Sequence, residues 1–291
     1  MTTFSTPQPI ALSIELVVGD VRITATDRTD TVVDIRPSDG SREPDINAAE
    51  QTRVEFSGGR LLIKAPKQRG FGLFGRTGSV DVTVELPSGS QLDGDASVAA
   101  FRAAGRLGDC RISTSTGEVR LGRVGTLQLN TGAGAVDVDR IAGDADVRTG
   151  SGKISLPRID GNAVVKNSDG DCWVGRISGD VRVKTADGDI RVDRAGGNIT
   201  AATADGSIRI GEIARGLASF KTAFGEIEFG VAAGSAARLD VHTSFGRVHN
   251  HLTVADRPEP SDETVAVDAH TSYGDITIRR APAAAKLITH Q

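Results

Sequence analysis

The sequence predicts an all-β protein: a parallel β-solenoid with about 18 residues and two short strands per rung, capped by an N-terminal β region. Three observations predict it. The first is a phrase that recurs nine times between Thr114 and Ile278: a Thr (once Asn), two small, polar or aromatic residues, a Gly, any residue, then Val, Ile or Cys. Its glycines are Gly117, Gly134, Gly152, Gly170, Gly188, Gly206, Gly225, Gly246 and Gly274, and the central spacings are 17 or 18 residues. The second is alternation at period two on both sides of each Gly, as in Val181, Val183 and Thr185 against Arg182 and Lys184, or Ile190 and Val192 against Arg191 and Asp193. That is the pattern of strands with one buried face. The third is that like residues fall in columns at this period: Val136, Ile154, Cys172, Ile190 and Ile208 follow the Gly, and Ala163, Val181 and Ile199 precede the Thr. In-register parallel stacking produces such columns, whereas a string of hairpins does not.

Ahead of the regular rungs, strands are expected at Ser13–Val18, Val21–Thr26, Thr31–Arg36, Leu61–Ala65 and Val80–Leu86, all alternating or rich in β-branched residues. Between them, 38–51 is polar and carries Pro44, and 67–79 is a Gly-rich loop. A solenoid end exposes unpaired backbone groups and requires a cap, so residues 1–90 are expected to be a cap continuous with the rod and 91–281 the solenoid. Within each rung, Asp-Gly or a similar pair makes the turn between the two strands, because glycine reaches positive φ without strain. The Thr column is expected to hydrogen-bond from rung to rung. Near the carboxyl end, 251–263 interrupts the period with Pro258 and Pro260, and 265–278 supplies a final rung; 282–291 reads as a disordered tail. At ~4.8 Å between strands, nine rungs would make a rod of roughly 40 Å.

Composition narrows the class. Thirty-five glycines with nine Phe, one Trp and one Tyr describe a thin aliphatic core with many corners. A net charge of −4, with both signs interspersed, offers no general attraction to nucleic acid. The two cysteines, Cys110 and Cys172, fall in different rungs and read as buried free thiols, which favour a reducing compartment. Met1–Ile10 has no basic region or long apolar run, and no stretch is long and apolar enough to span a membrane. A cytoplasmic protein is the expectation.

Residues 17–23 (VVGDVRI), 80–87 (VDVTVELP) and the repeated Gly-Asp-Ile or Gly-Glu-Val rungs resemble the bacterial DUF4097 family of β-strand-repeat proteins, whose label is that of candidate adhesins. The resemblance covers roughly residues 10–280. It implies a β-solenoid and brings with it no catalytic or ligand-binding residues.

Four surface features carry the functional reading. Arg123, Arg140, Arg158, Arg176 and Arg194 form a corner column, one per rung. They would either grip an anionic polymer or be balanced by Asp139, Asp144, Asp180 and Asp193 near the same corner. Asp169, Asp171, Asp187, Asp189 and Asp205 line the other turn, where Asp-Gly is ordinary turn chemistry and a Ca²⁺ site or a polysaccharide-cleaving acid pair is the alternative. Phe224, Phe245 and Tyr273 stand immediately before the turn Gly in the last three rungs. They would cover the edge of the core or form a contact patch, with the outward-facing Trp173 a second candidate. The segment 71–75 (FGLFG) is a further apolar spot; it lacks the Lys-Ser/Thr ending of a phosphate-binding loop.

The fourth feature is histidine. His242 and His270 share an outward column, while His249 and His251 lie on another strand. They read as surface residues without metal.

No catalytic residue, cofactor or metal is expected. Catalysis needs a few unlike groups converging on one point, whereas this chain repeats like groups along a line. The expected function is a non-catalytic interaction or scaffold protein that binds a macromolecular partner or itself. The alternatives are a carbohydrate-active β-helix enzyme and a regulatory protein that binds an anionic partner through the Arg column.

Overall fold

The computed structural model describes residues 1–66, 77–253 and 263–282. It contains the expected architecture, a parallel β-solenoid whose rungs are built from two strands each. The chain divides into two compact units, Met1–Ile159 and Asp160–Gln291.

In the first unit the strands Leu127–Ala133 and Val136–Ile141 make one rung. They pair in parallel with Cys110–Thr116 and Val119–Val124, with Leu127 opposite Cys110 and Val136 opposite Val119. On the other side, Leu127 faces Ala145 and Val136 faces Ile154. The residues that stack, Val119, Val136, Val138, Ile154 and Leu156, are buried, because each rung covers its neighbour's apolar face.

The N-terminal region joins the same stack. Ser13–Val18 and Val21–Thr26, expected as two strands, run as one strand, Ala11–Thr26. The chain passes the intervening corner at Gly19, where an added Cβ would lie 1.9 Å from the carbonyl oxygen of Val80. This strand pairs in parallel with Gln91–Arg106 from Ala11↔Gln91 to Ala25↔Gly105. Antiparallel pairing is confined to the start of the unit: Thr2–Ser5 with Asp30–Pro37, Asp30–Pro37 with Val80–Pro87, and Arg53–Ser57 with Arg60–Lys64.

The polar stretch 38–51 holds a helix, Glu43–Gln51, which the sequence analysis did not anticipate. Its signals were local: Pro in the first turn and acidic Glu43 and Asp45 at the positive end of the helix dipole. Asp45 is buried and accepts hydrogen bonds from the backbone N–H groups of Ser79 (3.0 Å) and Asp39 (3.2 Å). The segment 71–75 and the prolines at 258 and 260 lie outside the described residues, as does the expected tail beyond Pro282.

In the second unit the 18-residue register is regular. Val181 faces Ala163 and Ile199, and Ile190 faces Cys172 and Ile208. Val181, Val183, Ile190, Val192, Ile199 and Ile208 are buried and Arg182, Lys184 and Arg191 are exposed, as the alternation requires. The turn glycines stack directly: Gly206 has φ +137°, and a Cβ there would meet the carbonyl oxygen of Gly188 at 2.2 Å. Close backbone approach, in addition to φ, keeps this column glycine.

The Thr column behaves differently from expectation. Its hydroxyls bond to turn carbonyls rather than to one another. Thr185 Oγ1 donates to the carbonyl of Asp187 (2.9 Å) and Thr203 Oγ1 to that of Asp205 (3.0 Å). Thr222 Oγ1 reaches the carbonyl of Gly206 (2.9 Å). The carbonyls of Asp187 and Asp205 also accept from the N–H groups of Gly170 and Gly188 on the preceding rung, so the buried hydroxyl takes the second lone pair of the nearest turn carbonyl.

The order of the last rungs also differs. The segment 265–278, expected as the final rung, lies between the two that precede it in sequence. Glu263–Tyr273 pairs in parallel with Gly216–Phe224 on one side and with Ser235–Phe245 on the other. Its companion strand Ile276–Arg280 lies likewise between Ile227–Val231 and Val248–Asn250. The outermost rung is therefore Ser235–Phe245 with Val248–Asn250. Its inward positions Leu239 and Val241 are only half-buried, and Val248 is exposed, because no further rung covers them among the described residues.

Candidate interaction surface

One column of side chains runs along the turn edge of the second unit. Residue-by-residue bridges link Asp169 to Asp187, Asp187 to Asp205 and Asp205 to Phe224. The strand register extends the column from Phe224 to Tyr273 and from Tyr273 to Phe245. Two of the sequence-predicted features, the acidic edge and the aromatic set, are thus successive parts of one line.

The aromatic part is stacked. The ring centroids of Phe224 and Tyr273 are 5.0 Å apart with planes 5° from parallel, and those of Tyr273 and Phe245 are 4.8 Å apart at 8°. The in-register turns impose this spacing, since it is the distance between adjacent strands. The three side chains remain outside the core: Phe224 is 53% exposed, Tyr273 48% and Phe245 65%. The core at this level is filled instead by Phe220 and Phe229, which are fully buried with centroids 5.6 Å apart. A groove of about 630 Å³ lies on the same terminal rungs, lined by Leu217, Ala237, Leu239, Leu252 and Val265 among others.

The acidic part divides into two sets. Asp169, Asp187 and Asp205 precede the turn glycines and are exposed. Asp171 and Asp189 follow them and serve the ladder: Asp171 Oδ1 accepts from the N–H of Asp189 (3.0 Å), and Asp189 Oδ1 from that of Ser207 (2.7 Å). Asp189 also pairs with Arg209 at 3.3 Å. A carboxylate that takes a peptide N–H of the next rung replaces a strand hydrogen bond where the turn interrupts the ladder. The opposite corner uses the same device, which sequence reasoning missed. Asn162 Oδ1 accepts from the N–H of Asp180 (2.9 Å), Asp180 Oδ1 from Asn198 (2.8 Å) and Asn198 Oδ1 from Leu217 (2.8 Å). The 18-residue spacing of Asn162, Asp180 and Asn198 was the available signal. Among the described residues, no group of three or more His, Cys, Asp or Glu is placed to hold a metal ion.

The arginine column is in register within each unit: Arg123 faces Arg140 in the first, and Arg176 faces Arg194 in the second. Arg158 lies exposed on the strand Ile154–Ile159. The acids named to balance the column are partly engaged elsewhere. Asp180 holds Asn198, and Asp193 accepts from Arg191 Nε (2.8 Å) and from Trp173 Nε1 (3.0 Å). Arg194 instead pairs with Glu212, its register neighbour on the next rung, at 2.7 Å. Trp173 is half-buried and tied down by that bond to Asp193.

The histidines remain on the outer surface. His242 and His270 are register neighbours with rings 6.1 Å apart, His270 lies against Asp268, and His249 lies 3.4 Å from Asp275. Both cysteines are buried free thiols. Burial pushes the Cys110 thiol up to about 12 and the Cys172 thiol to about 11, which leaves both protonated and unreactive at neutral pH.

Parallel in-register rungs, stacked turn glycines and a columnar surface define the chain as a β-solenoid repeat protein. It belongs to the family described as Toastrack DUF4097, whose model matches residues 10–279. Solved structures of low sequence identity match it over nearly their whole length. One is a candidate adhesin from Parabacteroides merdae, 14% identical, covering 97% of this chain and 95% of its own, with a TM-score of 0.42. Another is a candidate adhesin from Bacteroides fragilis, 13% identical, covering 95% of each chain at a TM-score of 0.35. A third is a candidate lipid-binding protein from Parabacteroides distasonis, 12% identical, covering 94% of this chain and 95% of its own at 0.37. No curated protein matches the chain.

Proposed function

We propose that this protein is a non-catalytic interaction scaffold, which engages a macromolecular partner or another copy of itself through the aromatic end of its turn column. The observation that carries this reading is the stack of Phe224, Tyr273 and Phe245, three neighbouring aromatic residues about half exposed while other phenylalanines fill the core. Exposed aromatic clusters supply much of the energy of protein interfaces. The rings spend their inner faces on one another, so they offer edges and the outer face of Phe245. A flat platform for a sugar ring is a different arrangement, which makes a protein surface the better fit.

The test is a triple variant, Phe224→Ser, Tyr273→Ser and Phe245→Ser, compared with the wild type by thermal unfolding, sedimentation and cross-linking to bound protein. The expected result is an intact cooperative transition with loss of cross-linking to bound protein. Turnover of a polysaccharide by the pure protein, lost on Asp187→Asn, would overturn the reading.

A further inference from the structure

The outermost strand, Ser235–Phe245, spans eleven residues and pairs in parallel with Glu263–Tyr273 on one side. Among the described residues its other side has no strand partner. It carries no proline, no lysine and no bulge in its register, and its charges, Arg238 and Asp240, are of opposite sign.

The ladder fixes which peptide groups face outward. Phe245 gives its carbonyl to the N–H of Gly274, towards the inner neighbour. Phe245 lies beyond the corner at Ser244, where the alternation resets: in an equivalent rung Val181 and Thr185 send their N–H groups to the following rung, at Asn198 and Ala202, whereas the carbonyl of Asp187 accepts from Gly170 of the preceding one. In the outermost strand the corresponding residues Ala237, Leu239, Val241 and Thr243 therefore direct their peptide groups to the open edge.

We propose that this edge docks the same strand of a second copy, antiparallel, about a twofold axis through Leu239. The inference rests on the scaffold reading and names its partner. A twofold contact centred between two residues would set even residues against odd ones and waste the outward peptide groups, so the axis passes through a residue. The side chains choose which. Centring on Asp240 would set that carboxylate against its own copy, and centring on Arg238 would do the same for two guanidinium groups.

Centring on Leu239 sets Arg238 opposite the second copy's Asp240, twice by symmetry, on the outer face. On the inner face it sets Leu239 on Leu239, Ala237 on Val241 and Ser235 on Thr243. Cross-strand pairs of opposite charge stabilise a ladder and like-charged pairs oppose it. The same contact covers Leu239 and Val241, which are left half-buried at the solenoid end. Pairing across a closed twofold axis ends growth at two copies instead of building a fibre.

The experiment is light scattering and sedimentation on the full chain. The wild type is expected to be a dimer. Arg238→Asp or Asp240→Arg alone should weaken it by about tenfold or more, and the double variant, which exchanges the two charges, should restore it. Leu239 falls at a hydrogen-bonded pair, where the two Cα atoms lie about 5.5 Å apart, within the reach of a disulfide. Leu239→Cys should therefore form an intermolecular disulfide under mild oxidation.

A monomeric wild type, or a dimer indifferent to both charge reversals, would overturn the twofold contact. Failure of the scaffold reading looks different. If the triple aromatic variant keeps every association, the aromatic surface fails while the strand contact stands. If a monomeric wild type captures a partner through the aromatics, the reverse holds.

Discussion

Tyr273 stacks on Phe245 at 4.8 Å with their planes 8° apart, and Phe245, although earlier in the chain, is the outer of the two. The inner face of Tyr273 meets Phe224 at 5.0 Å. Tyr273 thus has two aromatic neighbours and each phenylalanine has one in this column.

Removing the middle ring should cost more than removing the end one. Each aromatic pair is worth about 0.5–1.5 kcal/mol beyond its buried area. Tyr273→Ala should therefore destabilise the fold by about 1–3 kcal/mol, and Phe245→Ala by about half as much, in urea unfolding at matched protein concentration. Equal losses would show that stacking is not what holds the column.

The core tolerates loss of volume far better than gain of charge. Ile190 is fully buried between Cys172 and Ile208. Ile190→Val should cost about 1 kcal/mol. Ile190→Asp should abolish cooperative unfolding of its unit, since its register neighbours Cys172 and Ile208 carry no charge to offset the desolvated carboxylate. A well-folded Asp variant by circular dichroism would mean that water reaches the column.

Two glycines with positive φ separate the two reasons for glycine. Gly206 has φ +137° with the Gly188 carbonyl 2.2 Å from a notional Cβ, whereas Gly234 has φ +81° with nothing within 4 Å. Gly234→Ala should cost only the conformational strain, about 1 kcal/mol. Gly206→Ala must also push two rungs apart and should cost at least twice that by chemical denaturation.

Acid should expose one contribution that holds the outermost turn to the rung inside it. The carboxylate of Asp275 is held below its usual range chiefly by the backbone N–H of Arg247, which donates at 2.8 Å, and less by His249. A depressed pKa in the folded state means stability that is present above the unfolded value, about 3.9, and is lost as pH falls through the folded one. Asp275→Asn should therefore flatten the stability profile at pH 4 and below. NMR titration should place the Asp275 midpoint below that of a free aspartate; a midpoint at or above it would contradict the bond.

The repeat was legible in the sequence because each rung obeys the same rules separately. Val181, Ile190 and their equivalents must alternate with charged residues to make one buried face, and the turn must carry glycine where backbones touch. These local demands leave a trace at every eighteenth residue, so rung boundaries, buried columns and the positions of Phe224, Phe245 and Tyr273 could be read directly. The helix Glu43–Gln51 and the antiparallel strands Thr2–Ser5 and Arg53–Ser57 occur once each, so no repetition reinforced their weak local signals.

Only the tertiary structure decided the order of the last rungs. Ser235–Phe245 and Glu263–Tyr273 share one pattern, His242 matching His270 and Phe245 matching Tyr273, so either could pair in register with Gly216–Phe224. Pattern specifies register, and register is the same in both arrangements. What distinguishes them is burial. Glu263–Tyr273 places Val265, Val267 and Ala269 where rungs on both sides cover them. Ser235–Phe245 keeps Arg238, Asp240 and a half-covered Leu239 at the open end. That choice compares two packings of the whole terminal region, and it put Tyr273 at the centre of the aromatic stack.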